Sequence, residues 1–479
     1  MASAMAAAAL VGTGAMCPAQ AMAAGADLPW RVANAGWAPG APGPYAFPEG
    51  AETVDGARSN VEGRRLSPGK TYRSSLPRAG RLYYRLDLTA GESAYVSATA
   101  VPRLGTRVSY ADGLEVSVQD ADGNNCSPME AQEARFGASE SPRPITATAA
   151  RRTGPDEPGC AGAGTYYVLV ERTSAPESSR DEWVLELRVA SEPAVRVAGA
   201  TEPPRTWDSA TPVPPTGERK RRAGGTSFHT ARALGNGVWG DSVTPGETLY
   251  YRVPVDWGQQ LAVGAELGTS SGGRRGTAGP ATTRGTGYVS PGLVMTLANP
   301  VRAEVEDADT AYDGKQKSAA LEPLPPVAYE NRFATADAVS AMRFAGWYYV
   351  SVHLSPKVAE KFGASPLELT LRVDVDGDPL PGPSYAGSPR PAEEFGVTER
   401  DAEAARRGES AAESEGDSGD DPVLAAVAAG GIGTGVALLG ILGVWTLTAR
   451  RRAAGASAAA SAPTSDAPVR AASKPRHRR

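Results

Sequence analysis

Residues 82–98 read LYYRLDLTAGESAYVSA, and residues 249–265 read LYYRVPVDWGQQLAVGA. Tyr83, Tyr84 and Arg85 align with Tyr250, Tyr251 and Arg252, Gly91 with Gly258, and Val96 with Val263, at a constant offset of 167. A chain that writes this stretch twice must fold it twice. Leu82, Tyr84, Leu86 and Leu88 alternate with Tyr83, Arg85 and Asp87, the period of a half-buried strand. A glycine turn and a second alternating stretch follow, so each copy is a strand–turn–strand unit.

The surrounding segments repeat in the same order. Residues 238–243 parallel 72–76, GLVMTL at 292–297 parallels GLEVSV at 113–118, residues 346–352 parallel 164–170, and 367–373 parallel 183–189. Five matches in one order predict two copies of one β-domain, at residues 61–190 and 226–378. Before them, residues 25–60 read as an extended arm that packs on the first domain, because Trp30, Trp37 and Tyr45 are unfavourable in a free tail. Between them, residues 191–225 form a linker with Pro203, Pro204, Pro212, Pro214 and Pro215, ending in the basic run Arg219, Lys220, Arg221 and Arg222. Gly 55 and Pro 40 among 479 residues suit such a turn-rich chain.

The two ends carry an address. Residues 1–24 hold no charge, and small residues at Ala19, Ala21 and Ala23 suit signal-peptidase cleavage near Ala23 or Ala24, although a basic n-region is missing. Residues 423–449 are uncharged over 27 positions, enough for a transmembrane helix. Arg450, Arg451 and Arg452 follow at once; the tail 450–479 has 8 Lys and Arg against Asp466. Residues 393–421 have 11 acids against 3 Arg. Basic flanks stay in the cytoplasm. The expected topology is therefore single-pass type I in the cell membrane: bulk outside, an acidic disordered stalk at 379–422, and a basic cytoplasmic tail. Gly431 and Gly435, with Ala428, Gly440 and Gly443, offer small faces through which two spans could form a homo-oligomer; a plain anchor explains them too.

Cys126 and Cys160 remain after signal cleavage, both outside the membrane in one domain, and an oxidised pair is expected there. Asp120, Asp122 and Asn124, and Asp374, Asp376 and Asp378, have the D-x-D-G spacing of calcium loops. The acidic ligand twelve positions along is absent, since Ala131 and Tyr385 stand there, and Asp-Gly is also an ordinary turn. These six are weak calcium candidates, and no cofactor is expected. A Ser–His–Asp set would have to use His229 or His353, and no Gly-x-Ser-x-Gly elbow supports either. The Gly/Arg-rich stretch 268–287 has a nucleic-acid look that an extracellular address opposes, so no nucleic acid is expected. The paired tyrosines Tyr83/Tyr84, Tyr166/Tyr167, Tyr250/Tyr251 and Tyr348/Tyr349 alternate faces, which places one of each pair in a core; the other could stack on a sugar.

The Pro-Gly turn, the Tyr-Tyr-Arg strand, the Gly turn and the late Gly-x-Tyr-Tyr-Val strand resemble the bacterial pre-peptidase C-terminal domain. So does the lead-in from Thr226 to Leu234. The resemblance covers about residues 61–189 and 226–373. It implies antiparallel β-sandwich (jelly-roll-like) modules in tandem, often found beside peptidases; no peptidase is present here. The overall layout is similar to single-span surface proteins of high-GC actinobacteria. The expected function is a non-enzymatic, membrane-anchored binding protein of the cell envelope, whose partner is an extracellular protein or envelope polymer. The alternative is an accessory or sensor subunit of a membrane complex.

Overall fold

Among the described residues each half of the chain forms ten strands, the longer of them marked in sequence by alternation of apolar and polar residues. In the first half these are β1 (Glu52–Thr53), β2 (Arg64–Arg65), β3 (Thr71–Leu76), β4 (Arg81–Leu88), β5 (Ser93–Val101), β6 (Gly113–Gln119), β7 (Glu133–Arg135), β8 (Ile145–Arg151), β9 (Gly164–Thr173) and β10 (Trp183–Glu192). In the second half they are β11 (Arg219–Arg221), β12 (Arg232–Ala233), β13 (Gly237–Val243), β14 (Thr248–Val255), β15 (Gln260–Leu267), β16 (Val289–Ala298), β17 (Glu304–Tyr312), β18 (Lys317–Ala320), β19 (Gly346–Leu354) and β20 (Leu367–Asp376). This is a computed structural model, and it describes residues 42–126, 133–154, 160–197, 199–270 and 287–416. The segments read as signal peptide, transmembrane helix and basic tail, with Arg450, Arg451 and Arg452, lie outside the described residues. No helix among the described residues is long and apolar enough to cross a membrane.

The first half forms two five-stranded sheets, β1-β3-β10-β5-β8 and β2-β4-β9-β6-β7; the second forms β11-β13-β20-β15-β18 and β12-β14-β19-β16-β17. Adding ten to every strand number of the first half gives the second. The duplication therefore extends beyond the matched strands to the two-residue strands that open each half. Those openers correct the purely antiparallel expectation. β1 runs parallel to β3, β2 to β4, β11 to β13 and β12 to β14. A hairpin cannot join parallel neighbours; here the chain crosses to the facing sheet and back, β1 to β2 to β3, and arrives in the same direction.

Within each half the two sheets enclose one core. Leu82, Tyr84, Leu86 and Leu88 of β4 face Val96, Ala98, Leu185 and Leu187. Leu249, Tyr251, Val253 and Val255 of β14 face Val263, Ala265, Leu369 and Leu371. The matched turn glycines have φ of 75° at Gly91 and 78° at Gly258. That left-handed backbone is open to glycine and strained for other residues, which accounts for the glycine at both positions.

The halves stack through one sheet each. The outer face of β1-β3-β10-β5-β8 lies against the outer face of β12-β14-β19-β16-β17, joined by Tyr95 edge-on to Phe344 at 5.1 Å and by ion pairs described below. Burial of the repeat differs accordingly. Tyr83 is half-buried, whereas its counterpart Tyr250 is 3% exposed and packs on Phe228, Trp347 and Tyr349.

Residues 379–416, read from their acidity as a disordered stalk, are instead an ordered strap across both halves. Tyr385 bridges to Val195 and Arg390 to Ser191. Phe395 enters the apolar cluster of Tyr95 and Phe344. The helix Glu399–Arg407 starts at a capping box between Thr398 and Asp401 and ends at Gly408; it buries Ala404 and Ala405 against Phe228, Ala233 and Trp347. Glu399, Glu403 and Glu413 face solvent while Glu394 is buried, so the acidity of the segment does not prevent its apolar residues from docking it. The linker is also held: Arg372 donates to the Pro215 carbonyl at 2.7 Å and Gln260 to that of Asp208 at 2.8 Å. In the arm, Val54 enters the first core, while Tyr45 packs beside Tyr250 of the second half; Trp30 and Trp37 lie outside the described residues.

Candidate functional site

Strand β10 carries Glu186, Arg188, Ala190 and Glu192 on its outward face, and each finds a partner across the seam. Glu186 pairs with Arg302 of the second half. Arg188 pairs with Glu394 of the strap. Glu192 accepts two hydrogen bonds from Arg332, at 2.8 and 3.2 Å, one from the Tyr95 hydroxyl at 2.9 Å and one from that of Tyr385 at 2.8 Å. Burial alone would raise the Glu192 carboxyl; Arg332, Tyr385 and Tyr95 outweigh it and hold it below the usual range. At the strap's start, Arg390 reaches Glu92 at 2.5 Å. A buried charge is costly unless paired and hydrogen-bonded, and these are both.

His353 belongs to the same seam. One ring nitrogen lies 2.9 Å from the Thr248 hydroxyl and the other 2.9 Å from that of Ser141 in the first half. Burial, with Arg143 nearby, pushes its pKa down to about 3, so the ring is neutral. A serine nucleophile with this histidine as base would call for a carboxylate on the far nitrogen; here a threonine hydroxyl stands there. Ser141 is 1% exposed. The arrangement fastens the halves together. His229 lies half-buried at the mouth of the cleft described next, its carbonyl accepting from the Ala412 amide at 2.8 Å.

Between the stacked sheets the seam opens into a cleft of about 880 Å³, adjoined by a smaller space of about 310 Å³. Both are lined by Phe228, Arg302 and Tyr349. The larger is walled by the arm at 46–52, by Lys70 and Arg188, and by the strap's end at 411–413; the smaller by Arg143, Thr248, Ser351, His353, Glu304 and Asp307. Arg302 stands where they meet. Asn299 builds its turn by accepting from the Val301 and Ala303 amides, and Arg302 itself has a φ of 66°. A bulky residue in that region is strained, which is most frequent at functional positions. Its guanidinium lies over Phe228 at 4.5 Å, and its Nε has no hydrogen-bond acceptor among the described residues. Burial opposes the charge of Arg302, Glu186 outweighs burial, and the net shift is upward. Burial also raises Glu304, helped by Asp307. The cleft thus offers a fixed cation, hydroxyls and carboxylates over aromatic walls, a surface suited to a polar, hydrogen-bonding ligand.

Of the residues singled out from sequence, Cys126 and Cys160 form a disulfide with Cα atoms 5.6 Å apart. Beside it Arg151 is wholly buried and donates to the carbonyls of Thr89, Glu92, Cys160 and Gly162, tying the disulfide loop to the β4–β5 turn. Of the calcium candidates, Asp120 and Asn124 are in contact. The Asp120 carboxylate accepts from the Asn124 side chain and from the Asp122 and Asn124 amides, so it closes a turn. Asp374 and Asp376 lie on β20 and Asp378 just beyond it. Among the described residues no three His, Cys, Asp or Glu side chains converge as a metal site would. Sequence reasoning missed Arg302, Arg332, Glu186 and Glu192. The available signal was the alternation in WVLELRVASE, which puts Glu186, Arg188 and Glu192 on one outward face.

No family model matches the chain, and no curated protein sequence matches it. Among solved structures the similarities are slight. Tripeptidyl peptidase 2 aligns over 67% of this chain and 24% of its own length, at 8% identity and a TM-score of 0.18. The CUB1-EGF-CUB2 domain of human MASP-1/3 aligns over 64% and 99%, at 8% identity and 0.15. The ANXUR2 extracellular domain from Arabidopsis thaliana aligns over 65% and 85%, at 11% identity and 0.14. Likenesses of this size carry no argument about fold or function.

Proposed function

We propose that this chain is a non-enzymatic interaction protein of the cell envelope, anchored by the span at 423–449, whose two jelly-roll-like β-sandwiches bind an extracellular protein or envelope polymer. The observation that carries the reading is the seam cleft with Arg302 buried in its wall, strained and holding an unused donor. Pockets with a few fixed polar groups over apolar walls are where ligands bind. The test is retention of envelope protein or polymer by the purified ectodomain, residues 25–421. One saturable component should be retained, and Arg302→Gln should lose it. Retention unaffected by that substitution, or labelling of the chain by a serine-directed activity probe, would defeat the proposal.

The strap favours a second reading. It passes through the seam before leading toward the span, so a ligand that altered the seam would act on the segment next to the membrane. In that case the chain is an accessory or sensor subunit, and deleting residues 450–479 abolishes its output; a simple binder keeps working without them.

A further inference from the structure

The basic run at the end of the linker becomes strand β11, the outermost strand of β11-β13-β20-β15-β18. It pairs in parallel with β13, Arg219 opposite Val238, Lys220 opposite Trp239 and Arg221 opposite Gly240. The Arg222 amide donates to the Gly240 carbonyl at 2.9 Å. Alternate residues of a strand serve alternate neighbours, so Lys220 and Arg222 turn their backbone groups toward β13. Arg219 and Arg221 turn theirs outward, to an edge that no described strand occupies. All three residues of β11 are exposed.

The side chains divide similarly. Arg219 is committed to its own sheet, donating to the Leu369 carbonyl at 3.1 Å. Arg222 lies over the Trp239 ring at 4.7 Å and donates to the carbonyls of Arg406 and Arg407, capping the strap helix. Lys220 and Arg221 have no hydrogen-bond or ion-pair partner among the described residues. Beside Arg221 is a hollow of about 310 Å³ floored by Gly240 and Ser242. The acids in its wall are in use: Asp241 accepts from Tyr251 and from the Gly224 amide, and Glu368 faces Arg219 at 3.7 Å.

We infer that β11 is a docking edge for an extended acidic polypeptide segment, which adds to this sheet as a further strand. The outward amides and carbonyls supply its main-chain bonds, and Lys220 and Arg221 receive its carboxylates. A second copy of β11 is the wrong occupant, since like charges would lie directly opposite one another. This surface is distinct from the seam cleft, and its test does not depend on that cleft.

The probe is a fluorescein-labelled decapeptide of alternating Glu-Glu and Val-Val pairs, which as a strand presents carboxylates on both faces, added to the full-length chain in non-ionic detergent and followed by anisotropy. Saturable binding is expected. The same peptide N-methylated at every residue keeps its charge but has no amide donor on either edge, and should bind at least about tenfold more weakly. The Lys220→Glu/Arg221→Glu variant should lose a similar factor for the unmodified peptide. The methylated peptide leaves the protein unaltered, so the comparison holds even if that variant misfolds. Equal binding of both peptides, or displacement by heparin as effective as by unlabelled peptide, would mean a general polyanion patch and overturn the inference. Absence of saturable binding would overturn it too, leaving the charges as a guard against unwanted strand pairing.

Discussion

Glu192 receives four hydrogen bonds from three separated parts of the chain, Tyr95, Arg332 and Tyr385. Replacing it by Gln leaves Arg332 buried without a counter-charge. Glu192→Gln should therefore cost about 3–5 kcal/mol of stability at neutral pH, read by denaturant unfolding. Two groups at the seam also set an acid limb. His353 is ordinarily protonated below about 6.5 when unfolded but stays neutral in the fold to about 3. The unfolded state thus binds the extra proton in that window, and stability falls as pH drops through it. The Glu192 carboxyl is depressed in the fold, so its contribution is present above its unfolded value and lost as pH falls through the folded one. Melting temperature against pH should decline from about 6.5; His353→Gln should flatten the upper part and Glu192→Gln the lower. An acid limb identical in both variants would refute the assignment. None of these partners was legible in the sequence. His353 and Ser141 are 212 positions apart, and local pattern carries no information about such a meeting.

The strands of the repeat were legible because each is long enough to show a period of two. β1, β2, β11 and β12 have two or three residues each, too few to show any period; with them the parallel pairings were missed. The strap was misread for a different reason. Its composition is that of a disordered segment, yet Phe395, Ala404 and Ala405 are enough to bury it when a complementary surface stands ready. Ala404→Asp places a charge against Trp347 and Phe228 and should release the helix. Amide exchange should then quicken through residues 399–413 and β12 while the first core stays protected; unchanged exchange would mean the helix is not held by that face. The disulfide loop offers a second test at this scale. Cys126→Ser/Cys160→Ser should lower stability by about 2–4 kcal/mol. Arg151→Met should cost a comparable amount, about 3 kcal/mol, because four carbonyls lose their donor.

In the whole molecule, two halves of one topology meet through different faces. The contact is therefore head-to-tail, the kind that can continue indefinitely if the end faces match the middle ones. They do not. The outer face of β2-β4-β9-β6-β7 presents Arg85 and Asp87 where the second half has Arg252 stacked on Trp347. At the other end the linker crosses the sheet. Sequence identity at Tyr83 and Tyr250 concealed this, since the same residue lies half-open in one half and sealed in the other. The halves should accordingly be inseparable in practice. Residues 42–197 and 199–416 expressed apart should leave the second piece aggregation-prone, with Tyr250 and Phe344 uncovered. Co-expression should recover a soluble 1:1 complex by gel filtration; two independently soluble monomers would contradict the stacking.

The strap decides how the molecule carries load. Tension applied beyond Gly416 first meets Ala412, Ser410 and Glu409, which are bonded to His229, to Arg252 of β14 and to Ala233 of β12, and then the helix Glu399–Arg407. These contacts lie in series and would peel one after another at low force. Those contacts are to the second half; when the peel arrives at Phe395, Arg390 and Tyr385 the pull passes to the first half, through Glu92, Arg188 and Glu192. The strap thus passes load from one half to the other in sequence, its contacts with β12 and β14 being the first to part.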